Sequence, residues 1–129
     1  MYPLFKPGDT RQFSRIVRPE DSAGFDTGNV HPVYATFALA RDAEWCCRLF
    51  VLEMKEAHEE GIGTRLTVEH LRPAPVGSEV VFTATITQLQ HHEITCSYEA
   101  VSGGKIIATG IQVQKILTKE KLERLFAGL

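Results

Sequence analysis

The sequence predicts an α+β domain in which one antiparallel sheet wraps around a single long helix. Three observations predict it. Residues 34–60 contain neither Gly nor Pro, and the first half of that run is apolar on nearly all sides. After Gly63 the apolar period changes from 3.6 to 2, through four successive segments. Those segments are joined mostly by hairpin-type connections, Gln90-His91-His92 and Ser102-Gly103-Gly104-Lys105. A helix that is apolar all round must be enclosed by other elements, and successive hairpins make an antiparallel sheet. With no internal repeat, residues 1–129 read as one domain.

Residues 10–18, TRQFSRIVR, carry the β-branched and aromatic residues of a first strand. Residues 19–32 are rich in Pro, Gly, Asp, Ser and Asn and read as a loop or lid. The helix follows over 34–60, with Gly61 as its stop and the polar Lys55, Glu56, His58, Glu59 and Glu60 emerging into solvent. In the next strand Thr64, Leu66, Val68 and His70 share one face, and Arg65, Thr67, Glu69 and Leu71 share the other. Residues 72–77, RPAPVG, break it. Val80, Phe82, Ala84 and Ile86 then alternate along EVVFTATITQL, and Ile94, Cys96, Tyr98 and Ala100 along EITCSYEAV. IIATGIQVQKIL is the last strand. Thr118 is placed to cap a terminal helix whose Leu122, Leu125 and Phe126 dock on the sheet.

Composition narrows the function classes. A net charge of -2 over 129 residues, with 23% charged, offers no basic surface for nucleic acid. No apolar run approaches the roughly 18 residues of a membrane span. The first residues, MYPLFKPG, lack a basic segment followed by an apolar stretch, so no signal peptide is expected. Cys46, Cys47 and Cys96 are an odd set with two adjacent members, which suits buried thiols in the cytoplasm better than disulfides.

Three polar residues interrupt apolar surroundings. Glu44 lies between Ala43 and Trp45 in the most apolar part of the helix; it either pairs with Arg48 or Arg41 at helical spacing or has chemical work to do. His70 ends a strand just before the proline loop, as a hydrogen-bonded rim residue or as a general acid or base. Thr36 begins the helix, as a cap or as a hydroxyl aimed at a carboxylate or bound thioester. His91-His92-Glu93 reads as a turn rather than a metal site, and His31 as a solvated loop residue. Arg65, Arg72, Lys105 and Lys115 are cations able to meet phosphates. No P-loop, dinucleotide fingerprint or nucleophile elbow is present.

The long apolar helix followed by four antiparallel strands resembles the hotdog fold, and 70–80, HLRPAPVGSEV, resembles the strand connection of hotdog acyl-CoA thioesterases. Within that superfamily the chain is similar to the fluoroacetyl-CoA thioesterase group. Members carry a threonine, a Glu-Trp pair eight residues on, and a histidine 26 residues after the glutamate, in a strand that opens with Gly-Thr. This chain has Thr36, Glu44-Trp45, Gly63-Thr64 and His70 at that spacing. The resemblance implies hydrolysis of a thioester. Glu44 attacks the carbonyl or activates water, His70 shuttles the proton, and Thr36 orients the carboxylate and holds substrate. It also implies substrate contacts at Gly63, Thr64, Val30 and Arg72, and a homodimer with the site between subunits. No metal and no cofactor is expected, CoA being part of the substrate. The fluoroacetyl-selective enzyme of that group uses phenylalanines in a lid before the helix. Residues 27–32 here read TGNVHP, without an aromatic, and Phe25 is the nearest one. A short or medium acyl-CoA is therefore the expected substrate.

Two rivals remain open at this level. A hotdog hydratase is disfavoured because its Asp/His pattern is missing from the helix. A non-catalytic acyl-CoA binding or sensing domain would share fold and pocket. Convergence of Glu44 and His70 separates it from an enzyme.

Overall fold

Alternation decides the centre of the sheet. The computed structural model describes residues 1–25 and 28–129, and the side chains of Phe25, Asn29 and Val30 also lie outside the description. Strand β1 (Thr10–Ile16) leads through a short 3-10 turn (Pro19–Asp21) into β2 (Ser22–Phe25) and β3 (Gly28–Tyr34). Helix α1 (Thr36–Met54) follows, then β4 (Glu59–Leu66), β5 (Glu69–His70), β6 (Glu79–Gln90), β7 (Glu93–Ser102), β8 (Lys105–Thr118) and α2 (Lys119–Ala127). Along β6, Val80, Phe82, Ala84 and Ile86 are buried; along β7, Ile94, Cys96, Tyr98 and Ala100 are. Phe82 pairs with Ala100 and Ala84 with Tyr98, so large faces small across the strands. The sheet order is β1-β6-β7-β8-β4, with β5 also paired to β8, and every pairing is antiparallel. This is the α+β hotdog architecture: one curled sheet around one long helix.

The two tight turns are set by backbone sign. Gly103 and Gly104 have φ of 58° and 74°. His91 and His92 take φ of 51° and 65°, which is uncommon for non-glycine residues. Both pairs fit the twist of their flanking strands.

Six sequence expectations are corrected. The helix is shorter than 34–60: it ends at Met54, and Lys55 is already extended at ψ 140°. Gly61 is not its stop; it sits inside β4, where an added Cβ would lie 2.6 Å from Val51 Cγ1. Pairing of β4 with β8, beginning at Glu59 and Thr118, captures the chain before any local stop signal, and Glu59 is buried rather than solvated. Residues 19–32 are not all loop, because β2 and β3 form a small hairpin sheet. The strand through His70 is not continuous: pairing with β8 breaks after Leu66 and resumes at Glu69, so 64–70 do not share two simple faces. In α2, Leu122 docks, whereas Leu125 and Phe126 are exposed.

Helix α1 buries Leu39, Ala43, Cys46, Cys47, Phe50 and Val51 against the sheet. It is not enclosed on every side in the single chain. Trp45 is 41% exposed, Phe37 54% and Leu52 41%. That open stripe runs beside β4, whose outer edge is a sheet edge. No described helix is long and apolar enough to cross a membrane.

Candidate active site

Thr36 is the first residue of α1, and it is not the cap. The cap position belongs to Ala35, whose side chain accepts nothing. Ala35 thus brings no side-chain acceptor to the first turn, and the helix dipole makes this terminus electropositive. The Thr36 hydroxyl instead lies 2.9 Å from Nδ1 of His70. Nε2 of His70 is buried and has no hydrogen-bond partner among the described residues. The tautomer settles what that nitrogen can do: if Nδ1 accepts from Thr36, Nε2 carries a proton to give, and if Nδ1 donates, Nε2 is a free base.

His70 is positioned by the break that separates β4 from β5. There Thr67 N–H donates to the Ile111 carbonyl and the Thr67 hydroxyl accepts from Ile111 N–H, both at 2.8 Å. The Tyr98 hydroxyl donates to the Thr67 carbonyl at 2.5 Å. Burial pushes the Tyr98 phenol up to about 12, so it stays a donor at neutral pH. Gly110 permits this brace, since an added Cβ would lie 2.5 Å from Tyr98 Oη.

Glu44 lies eight residues beyond Thr36, about 12 Å along the axis. It is exposed, and neither structural pairing considered from the sequence forms. Arg48 binds Glu60 at 2.9 Å, and Arg41 binds Asp21 at 2.8 Å and Asp42 at 3.0 Å. The contact made by the Glu44 carboxylate is to Gln112, whose Nε2 donates to Oε1 at 3.4 Å. Gly63 faces the same carboxylate: an added Cβ would press into Glu44 Oε1. Glu44 and Gly63 line a groove of about 330 Å³ with Arg41, Trp45 and Arg48. Within one chain no hydrogen bond joins Glu44 to Thr36 or His70 among the described residues.

The remaining expected substrate contacts are dispersed. Thr64 is exposed and donates to the Val113 carbonyl at 3.2 Å. Arg72 is exposed and shares a groove of about 280 Å³ with Lys105. The side chains of Val30 and Phe25, and the whole of Thr27, lie outside the described residues. His31 is exposed on β3. His91 and His92 sit at the β6–β7 turn, and no group of three His, Cys, Asp or Glu among the described residues is placed to hold a metal ion. A larger groove, about 480 Å³, lies on the outer face of the sheet and is lined by Thr83, Thr85, Ser97 and Thr109 with Glu69 and Glu99. It carries hydroxyls and carboxylates but no histidine.

Two features escaped sequence reading. The first is a buried ionic cluster beneath the start of α1. Asp21 and Asp42 are 0% and 1% exposed. Arg18 and Arg41 bind Asp21, while Arg15, Arg41 and the Tyr34 hydroxyl bind Asp42. The Arg18 hydrogen bond holds the Asp21 carboxyl far below the usual range. Burial pushes Asp42 up, but its hydrogen bonds from Arg15, Arg41 and Tyr34 outweigh that and lower it. Ala35 N–H also donates to the Asp21 carbonyl at 2.8 Å, so the cluster fixes how the chain enters the helix. The second is the inner face of β8, which buries Gln112, Gln114 and Ile116 while leaving Ile111 40% exposed. Alternation in IQVQKI favours the opposite face, and the signal against it was two glutamines in phase with Ile116.

The fold is that of the hotdog thioesterases. A thioesterase superfamily member from Thermus thermophilus superposes with a TM-score of 0.92 at 34% identity, over 98% of this chain and 93% of that one. The chain belongs to the fluoroacetyl-CoA-specific thioesterase (FlK) family, whose profile matches residues 17–120. The fold alone is shared with a fluoroacetyl-CoA thioesterase (TM-score 0.87, 21% identity, 96% of each chain). It is shared too with a hot-dog-like protein from Thermanaerovibrio acidaminovorans (TM-score 0.86, 20% identity, 98% and 92%). A search of curated sequences gives no match.

Proposed function

We propose that this protein is a cytoplasmic, homodimeric acyl-CoA thioesterase that acts on a short or medium acyl group through Thr36, Glu44 and His70, without a metal or bound cofactor. The observation that carries the reading is the Thr36–His70 hydrogen bond at the uncapped start of α1, with a carboxylate free of any arginine two turns further along the same helix. Family membership and a related fluoroacetyl-CoA thioesterase variant crystallised with fluoroacetate and CoA support the substrate class.

A two-fold mate reconciles the separation. If a second helix packs antiparallel on the open stripe, with the axis near Ala40, Glu44 of one copy comes level with Thr36 and His70 of the other. The exposed Trp45 and Leu52 and the outer edge of β4 are the surfaces that such a mate covers.

In the reaction, N–H groups at the start of α1 stabilise the oxyanion as the thioester carbonyl is attacked. Glu44 is the nucleophile or takes a proton from the attacking water. The C–S bond breaks, and His70 delivers a proton to the departing CoA sulfur. Water supplies the acid's second oxygen. A thiolate leaves readily, so one carboxylate and one imidazole suffice.

The test is thiol release from a panel of acyl-CoAs by wild type, Glu44→Ala and His70→Ala. Cleavage of one or more members, with at least about 100-fold loss in both folded variants, is the expected result. Binding of CoA esters without cleavage overturns the enzyme in favour of an acyl-CoA sensor.

A further inference from the structure

We infer that Gln112 is a positioning residue for the Glu44 carboxylate, and this rests on the catalytic role proposed for Glu44. Gln112 is 0% exposed, on the inner face of β8 and opposite Leu66 of β4. A primary amide buried there costs free energy that a methionine or leucine would not. Its neighbour Gln114 offsets that cost by donating to the Cys47 carbonyl of α1 at 2.9 Å, an ordinary structural bond. Gln112 makes no such bond. Its Nε2 donates to Glu44 Oε1 at 3.4 Å, and its Oε1 is buried with no partner among the described residues.

The orientation of the amide is chemically determined. A carboxylate only accepts, so the NH₂ must face Glu44 and the orphaned oxygen must point elsewhere. Gly63 completes the arrangement. Its absent side chain leaves room for the carboxylate, and an added Cβ would also come within 3.6 Å of Gln112 Nε2. An orphaned buried acceptor and an omitted side chain at one carboxylate favour placement of that carboxylate over stability of the sheet.

The experiment combines two readouts. Side-chain amide NMR signals of Gln112 are followed in wild type, Glu44→Ala and His70→Ala. Steady-state kinetics and thermal unfolding are measured for Gln112→Met on the best acyl-CoA of the panel. The inference expects the Gln112 signals to move in Glu44→Ala and stay in His70→Ala. It expects Gln112→Met to lower kcat about tenfold or more, with KM within about twofold and Tm unchanged or higher. Unmoved amide signals overturn it, as does unchanged kcat or a kcat loss matched by a fall in Tm. If Gln112→Met does not fold, the amide signals decide. A wild type that cleaves no acyl-CoA removes the thioesterase reading and this role together. A wild type that cleaves, beside an unaffected Gln112→Met, removes this role alone.

Discussion

Thr36 and His70 meet at 2.9 Å although 34 residues separate them, one at the start of α1 and the other on the two-residue strand β5. That contact makes a sharp prediction. Thr36→Ala removes the hydroxyl partner of Nδ1 and should lower kcat about 10- to 100-fold, while Thr36→Ser restores most of it. Because Thr36 is exposed and caps nothing, Tm should move little in either variant. Thiol-release kinetics beside thermal melts measure both, and equal losses in Ala and Ser would argue against a role for the hydroxyl.

Gly63 and Gly110 should fail differently when changed to alanine. At Gly63 the new methyl presses on the movable Glu44 carboxylate, so activity falls while the fold survives. At Gly110 it meets the Thr67 backbone carbonyl and the Tyr98 ring, neither of which can yield. Gly110→Ala should cost about 3 kcal/mol or more, at the upper end for an overpacked interior. Urea unfolding of the two variants, with kcat for Gly63→Ala, checks the contrast.

The Asp21–Asp42 cluster makes stability depend on acid pH. Both carboxyls are held below their ordinary value in the folded chain, by arginine hydrogen bonds that for Asp42 outweigh its burial. Their contribution is therefore complete above the unfolded value, about pH 4, and is lost as pH falls below it. Asp42→Asn strips Arg15, Arg41 and Tyr34 of their shared acceptor charge. It should cost about 2–3 kcal/mol at pH 7, less than a fully buried pair because Arg41 is half in water. The gap in urea midpoint between wild type and variant should narrow as pH falls below about 4, and a constant difference would contradict the linkage.

The dimer proposal is tested by mass. Light scattering should give twice the 14.4 kDa of one chain. Trp45→Glu, on the open stripe of α1, should yield a folded monomer with little thiol release. A wild-type monomer that hydrolyses acyl-CoA at full rate would sink the shared-site arrangement.

Much of this protein is local and periodic, and so legible in its residues. The two-residue alternation of β6 and β7, the Gly-Gly and His-His turns, the Thr118 cap and the long apolar helix are short-range physics. Together they determined an antiparallel sheet around one long helix; the resemblance named that layout a hotdog fold and joined Thr36, Glu44 and His70 into one site. What tertiary structure alone decided depends on contacts between distant segments. The end of α1 at Met54 comes from β4 pairing with β8. The break that places His70 comes from Thr67 meeting Ile111 and Tyr98. The burial of Gln112, against its alternation, comes from the register of β8 beneath the helix. Glu44 has two arginines at helical spacing, yet Glu60, Asp21 and Asp42 claim them, and Glu60 and Asp21 come from segments outside the helix. A side chain's chemical type is written in the chain, but its partner is chosen by packing, because hydrogen bonds and ion pairs form across space rather than along the backbone.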